Sequence, residues 1–161
     1  MIDKTMLFID KLTEITGKLF SWIVLLLAIV VVYEVIARYF FNNPSVCSFE
    51  YTQQLFGFYF ILLGGYALLK DEHVRIDIFQ SKFSKRWKKI VDFICFVLLF
   101  FPFVIAMFFN TLKFGLVSWK QGERVWSVCS SPLYPVKMVM PFAFFLLFLQ
   151  GISTFYKKMK Q

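Results

Sequence analysis

Trp22-Ile-Val-Leu-Leu-Leu-Ala-Ile-Val-Val-Val-Tyr33 decides the fold, because the run carries no charged residue and its apolar character continues on both sides. The whole block, residues 19–41, contains Glu34 and Arg38 as its only charges. A helix needs about 20 residues to cross a hydrocarbon layer of roughly 30 Å, and this block is long enough. It is also too long for the apolar region of a signal peptide, and no small-x-small cleavage pattern follows it, so it is read as retained.

On the N-terminal side, Ile2, Met6, Ile9, Leu12 and Ile15 recur at helical spacing opposite Asp3, Lys4, Asp10, Lys11, Glu14 and Lys18. That stripe predicts an amphipathic helix over residues 1–18, lying among the lipid headgroups before the first span. On the C-terminal side, Asn42-Asn43-Pro44 ends the span, since a residue preceding proline is pushed out of the helical region.

Three more apolar blocks follow. The second span is placed at 49–69. A basic segment over 70–89 then carries Lys70, Arg75, Lys82, Lys85, Arg86, Lys88 and Lys89, while Phe79, Phe83, Trp87 and Ile90 share one face. This predicts a second interfacial helix, with Trp87 at headgroup depth. The third span is placed at 90–119 with Pro102 inside it, and the fourth at 133–156 with Pro141 inside it; both prolines imply kinks. The fold class is therefore an all-α integral membrane protein, one membrane domain over residues 1–161 with four transmembrane helices.

Composition agrees. Hydrophobic residues make up 59% of the chain, 23 positions are Phe, and mean hydropathy is +0.67; soluble domains carry about 45–50% apolar residues. The net charge of +8 sits beside the apolar blocks, where anionic headgroups meet it, so membrane lipids and not nucleic acid are the implied partners. With the termini and the 70–89 segment inside, thirteen Lys and Arg face the cytoplasm, against Arg38, Lys113, Lys120, Arg124 and Lys137 outside. The positive-inside rule then gives both termini in the cytoplasm.

Polar groups within the spans are the candidates for chemistry. Glu34 and Arg38, four apart with the acid first, fall on one helix face as a compensating ion pair; the sharper alternative makes Glu34 a proton or cation site. Glu50, Gln53 and Gln54 open the second span. Gly57, Gly64 and Gly65 share a face suited to close helix packing, against either this chain or a partner. Asn110, Lys113 and Gln150 are read as satisfied locally near helix ends.

Cys47, Cys95 and Cys129 are widely spaced and His73 is the only histidine. A standard zinc site or a bis-histidine haem is thereby excluded, and no cofactor is implied. Cys47 and Cys129 fall on the same, oxidising side, which leaves a disulfide open, although sequence does not supply the geometry it needs. No phosphate loop, H-E-x-x-H or G-x-S-x-G motif occurs, so nothing points to an enzyme.

Four elements together resemble the small membrane subunits of tripartite ATP-independent periplasmic (TRAP) transporters, the DctQ-like family. They are Glu34-Val-Ile-Ala-Arg38-Tyr39 with Asn43-Pro44; Ser48-Phe-Glu50; Gly64-Gly65-Tyr66 followed by His73-Val74-Arg75-Ile76-Asp77; and Ser131-Pro132-Leu-Tyr134-Pro135-Val-Lys137 before the span that holds Gln150. The resemblance runs from about residue 15 to 155. It implies a non-catalytic scaffold beside a large membrane transport subunit, with a periplasmic binding protein delivering a C4-dicarboxylate or sialic acid type of solute for sodium-coupled uptake. His73, Arg75 and Asp77 would be structural residues at the cytoplasmic turn. Cysteines at 47 and 129 depart from the family pattern. The rival readings are a self-sufficient proton-coupled antiporter using Glu34, which the nearby Arg38 opposes by favouring the charged carboxylate, and the anchor of a redox complex, which lacks a histidine pair.

Overall fold

The computed structural model describes residues 2–70 and 85–160. Helix α1 (Ile2–Ser21) leads almost directly into α2 (Ile23–Tyr39). At Trp22 the ladder tightens: its carbonyl accepts from the Leu25 N–H at 3.1 Å, three residues on, as well as from the Leu26 N–H at 3.4 Å, and Ser21 Oγ donates to the Lys18 carbonyl at 2.7 Å. Helix α2 stops where Asn42 turns into the left-handed region (φ 50°), which lets the Asn43 N–H reach back to the Ala37 carbonyl at 3.1 Å.

Helix α3 (Ser48–Leu69) follows. The next described residues form α4 (Lys85–Ile94), which widens into a π-helical stretch (Cys95–Phe100) and continues as α5 (Phe101–Gln121). The Phe101 N–H bonds the Phe96 carbonyl, five residues back. Pro102 explains this widening, because it brings no N–H to the Leu98 carbonyl and the regular ladder cannot pass through it. Gly122 ends α5 in the left-handed region (φ 58°), its N–H meeting the Ser118 and Trp119 carbonyls. Helix α6 (Tyr134–Lys160) closes the chain. Among the described residues the only β pairing is the isolated bridge between Arg124 and Pro132.

Among the described residues, four helical stretches are long and apolar enough to cross a membrane: Asp3–Tyr39, Ser48–Leu69, Lys89–Gln121 and Tyr134–Lys160. Helix α6 is central and touches α1, α3, α4 and α5, whereas α2 packs on α3 and its own neighbour α1, burying none of its residues. Much of the buried interior is small or polar: Thr13, Ser48, Thr111, Ser118, Gln150, Ser153 and Thr154 lie beside Val104, Ala143 and Leu146. In lipid, apolar bulk gains little by turning inward, so close backbone approach and interhelical hydrogen bonds hold helices together.

Glycines mark those approaches. A Cβ on Gly151 would stand 2.3 Å from the Phe100 ring, and one on Gly17 would stand 2.3 Å from Tyr66. At Gly115 it would meet the Lys137 carbonyl oxygen at 3.0 Å. That carbonyl lies four residues before Pro141, whose missing N–H removes its partner in the helix, so α5 presses bare backbone against a carbonyl that lacks its α-helical donor. Phenylalanine fills the seam between these helices, with Phe101 in edge contact with Phe148 and Phe155 at 5.8 and 5.9 Å.

Helix α1 differs from its sequence expectation. Asp10, expected opposite the apolar stripe, lies against α6 with its side chain 14% exposed, while Leu7, Phe8, Ile15 and Leu19 face outward. The polar residues of α6 supply partners for the acid, and the surrounding lipid tolerates the apolar residues that α1 displaces from that contact. Of the second expected interfacial helix, residues 85–89 form the start of α4, and residues 71–84 lie outside the described residues.

Candidate functional site

Two polar rims, one at each end of the bundle, hold the helices together. The first joins the loop after α2 to the loop before α6. A disulfide links Cys47 to Cys129 with Cα atoms 5.5 Å apart, answering the question the sequence left open. Beside it, Ser131 Oγ donates to Glu50 Oε2 at 2.7 Å and accepts from Gln54 Nε2 at 2.9 Å, so Ser131, 1% exposed, ties α3 to the loop before α6. The Val125 N–H bonds the Ser131 carbonyl and the Leu133 N–H bonds the Glu123 carbonyl, which brings Pro132 against Arg124.

Lys137, in the first turn of α6, donates to Glu123 Oε2 at 2.5 Å and lies 4.1 Å from the centre of the Phe114 ring. The Lys137 ammonium holds the Glu123 carboxyl below the ordinary carboxylate range. Its contribution to the folded loop is therefore present above the usual pKa of a glutamate and is lost as pH falls through the depressed value. Pro135, one residue after the start of α6, meets no donor requirement there because first-turn N–H groups have no partner in the helix.

The second rim joins the two ends of the chain. Asp10 Oδ1 accepts from Ser153 Oγ at 2.7 Å and from Gln150 Nε2 at 3.1 Å, and Oδ2 accepts from Lys157. Asp3 accepts from Lys160 Nζ at 2.9 Å and from Tyr156 at 3.3 Å. Gln150, expected to be satisfied locally, is instead 1% exposed and reaches across to α1. Its spacing from Ser153 and Lys157 on one α6 face was the available signal, since three donors on one face ask for an acid.

Beside the first rim, at the end of α2, Arg38 Nη2 donates to Glu34 Oε1 at 3.1 Å. Glu34 is 14% exposed and Arg38 56%, and both line an open cleft of about 290 Å³ with Val31, Val35, Phe49 and Thr52. Gln53 is exposed. Of the glycine face on α3, only Gly65 packs within the chain, its added Cβ lying 3.6 Å from Thr13 and 3.7 Å from the Leu146 backbone; Gly57 and Gly64 look into open space. His73, Arg75 and Asp77 lie outside the described residues. Among the described residues, no three His, Cys, Asp or Glu side chains gather as a metal site would require.

No curated protein matches the chain. The family of tripartite ATP-independent periplasmic transporters, DctQ component, matches residues 27–161. The chain belongs to the DctQ family. This DctQ protein is thus the small component of a TRAP transporter, not an enzyme, and a multi-pass protein of the inner membrane whose system also includes a large membrane subunit and a periplasmic binding protein. Both polar loops of the first rim and the α6 half of the second fall within the matched residues, whereas all of α1 precedes them.

Proposed function

We propose that the chain is the fixed scaffold of its transporter: it holds a position in the bilayer beside the large subunit, whose transport domain moves against it. The solute is a carboxylate-bearing acid of the C4-dicarboxylate or sialic acid type, delivered by the periplasmic binding protein and taken up with sodium. Both termini face the cytoplasm, the disulfide rim faces the oxidising side, and anionic headgroups meet the basic rim.

One observation carries this reading: hydrogen bonds and ion pairs between helices gather at the two rims, while the spans between meet through glycine, serine and phenylalanine. A bundle clamped at both ends resists relative helix movement, as a scaffold must and as an alternating-access carrier must not. Glu34 is engaged by Arg38 one turn away at 3.1 Å, so it is not the unpaired intramembrane carboxylate an antiporter would use.

Co-purification tests the scaffold. A tagged chain extracted in mild detergent is expected to bring down a large multi-span protein in equal amount; recovery of the chain alone, or with a soluble reductase, contradicts it. An impermeant amine reagent applied outside intact cells is expected to spare Lys158 and Lys160, and modification of either overturns the orientation.

A further inference from the structure

Helix α1 engages α6 through Asp3 and Asp10 and leaves Lys4 and Lys11 outward. Its acids are engaged: Asp3 with Lys160, Asp10 with Lys157, Ser153 and Gln150, and Glu14 with Lys18 at 2.8 Å. Its lysines at 4, 11 and 18 recur every seven residues, about 10.5 Å apart along the axis and drifting only about 20° per step. They therefore form one outward stripe. Lys4 and Lys11 are exposed and carry no acidic partner among the described residues.

Large apolar side chains flank that stripe. Leu7 is 64% exposed, Phe8 67% and Leu19 63%, and Trp22 continues the same face at 70%. A water-facing helix would not present Leu and Phe beside its lysines, and the centre of a protein interface is depleted in lysine. A headgroup boundary accommodates both: the long lysine stems lie along hydrocarbon while the ammonium groups reach phosphate, and tryptophan sits at that depth.

We propose that the outward face of α1 is a binding surface for anionic phospholipid, with Lys4 and Lys11 as its cations and Leu7, Phe8 and Leu19 as its contact with acyl chains. It deepens the scaffold reading and rests on that reading's placement of the basic rim, which α1 helps to form, against anionic headgroups. By securing both termini at the lipid boundary, the surface would fix the depth at which the scaffold sits.

The test uses the full chain purified alone in detergent, with bound phospholipids counted by native mass spectrometry after addition of equal phosphatidylglycerol and phosphatidylethanolamine. The wild-type chain is expected to retain phosphatidylglycerol preferentially. Each lysine near an anionic surface contributes about 1 kcal/mol, so K4Q/K11Q is expected to lower that preference about thirtyfold, while K4R/K11R and the opposite-end K120Q keep it. Equal preference in wild type and K4Q/K11Q, with both equally folded by circular dichroism, overturns the proposal. So does cross-linking of Lys4 and Lys11 to the large subunit in the assembled complex, which would make a protein the occupant. Because the lipid count needs no partner, its failure is distinct from a failure of the chain to co-purify with a large subunit.

Discussion

Asp10 accepts three side-chain hydrogen bonds from α6, including one from a lysine, in a position from which water is largely removed. A carboxylate placed in this way is costly unless paired, and removing it strands its partners. Asp10→Ala is expected to destabilise the folded chain by about 2–4 kcal/mol, because Gln150 and Lys157 lose their acceptor together. Thermal unfolding in detergent measures this, and a change no larger than that of an exposed control such as Lys120→Gln would contradict it. The sequence displayed Asp10 as one charge among six on an amphipathic segment. It could not reveal that a neighbouring helix, 140 residues further on at Gln150, covers that face. By contrast the Glu34–Arg38 pair was legible, since both partners lie on one helix at a spacing that brings them together.

At the scale of elements, glycine decides which helix faces close within the chain. Gly151 admits the Phe100 ring and Gly17 admits Tyr66, whereas Gly57 and Gly64 face open space. Gly151→Ala is expected to cost about 1–3 kcal/mol through overpacking, and Gly57→Ala to stay within about 0.5 kcal/mol of wild type in the isolated chain. Equal loss in both variants would refute the packing described for α6. The run of glycines on α3 was visible in the sequence, but only Gly65 packs internally, because a spacing pattern identifies a shared face without naming its neighbour. The four long apolar segments were legible from length and hydropathy alone, as was an interruption near Pro102. The π-helical form of that interruption depended on how the freed carbonyl finds a partner, which no spacing rule specifies. The disulfide between Cys47 and Cys129 likewise needed the two loops to be brought together in space. Its presence is expected to appear as faster migration on non-reducing gels, lost in Cys47→Ser; identical migration of the two proteins contradicts it.

For the whole molecule, the DctQ family sets the role and the bundle sets the manner in which this chain can fill it. Helices tied at both rims, with apolar faces turned outward on α2 and α3, make a body that lipid and a large partner can surround. Nothing in that arrangement requires the chain to bind solute itself. Reconstitution into proteoliposomes tests this most directly. Vesicles that hold the chain with its large subunit, given the periplasmic binding protein and an inward sodium gradient, are expected to accumulate the carboxylate solute, while vesicles that hold the chain alone remain inactive. Gradient-driven transport by the chain alone would contradict the scaffold account.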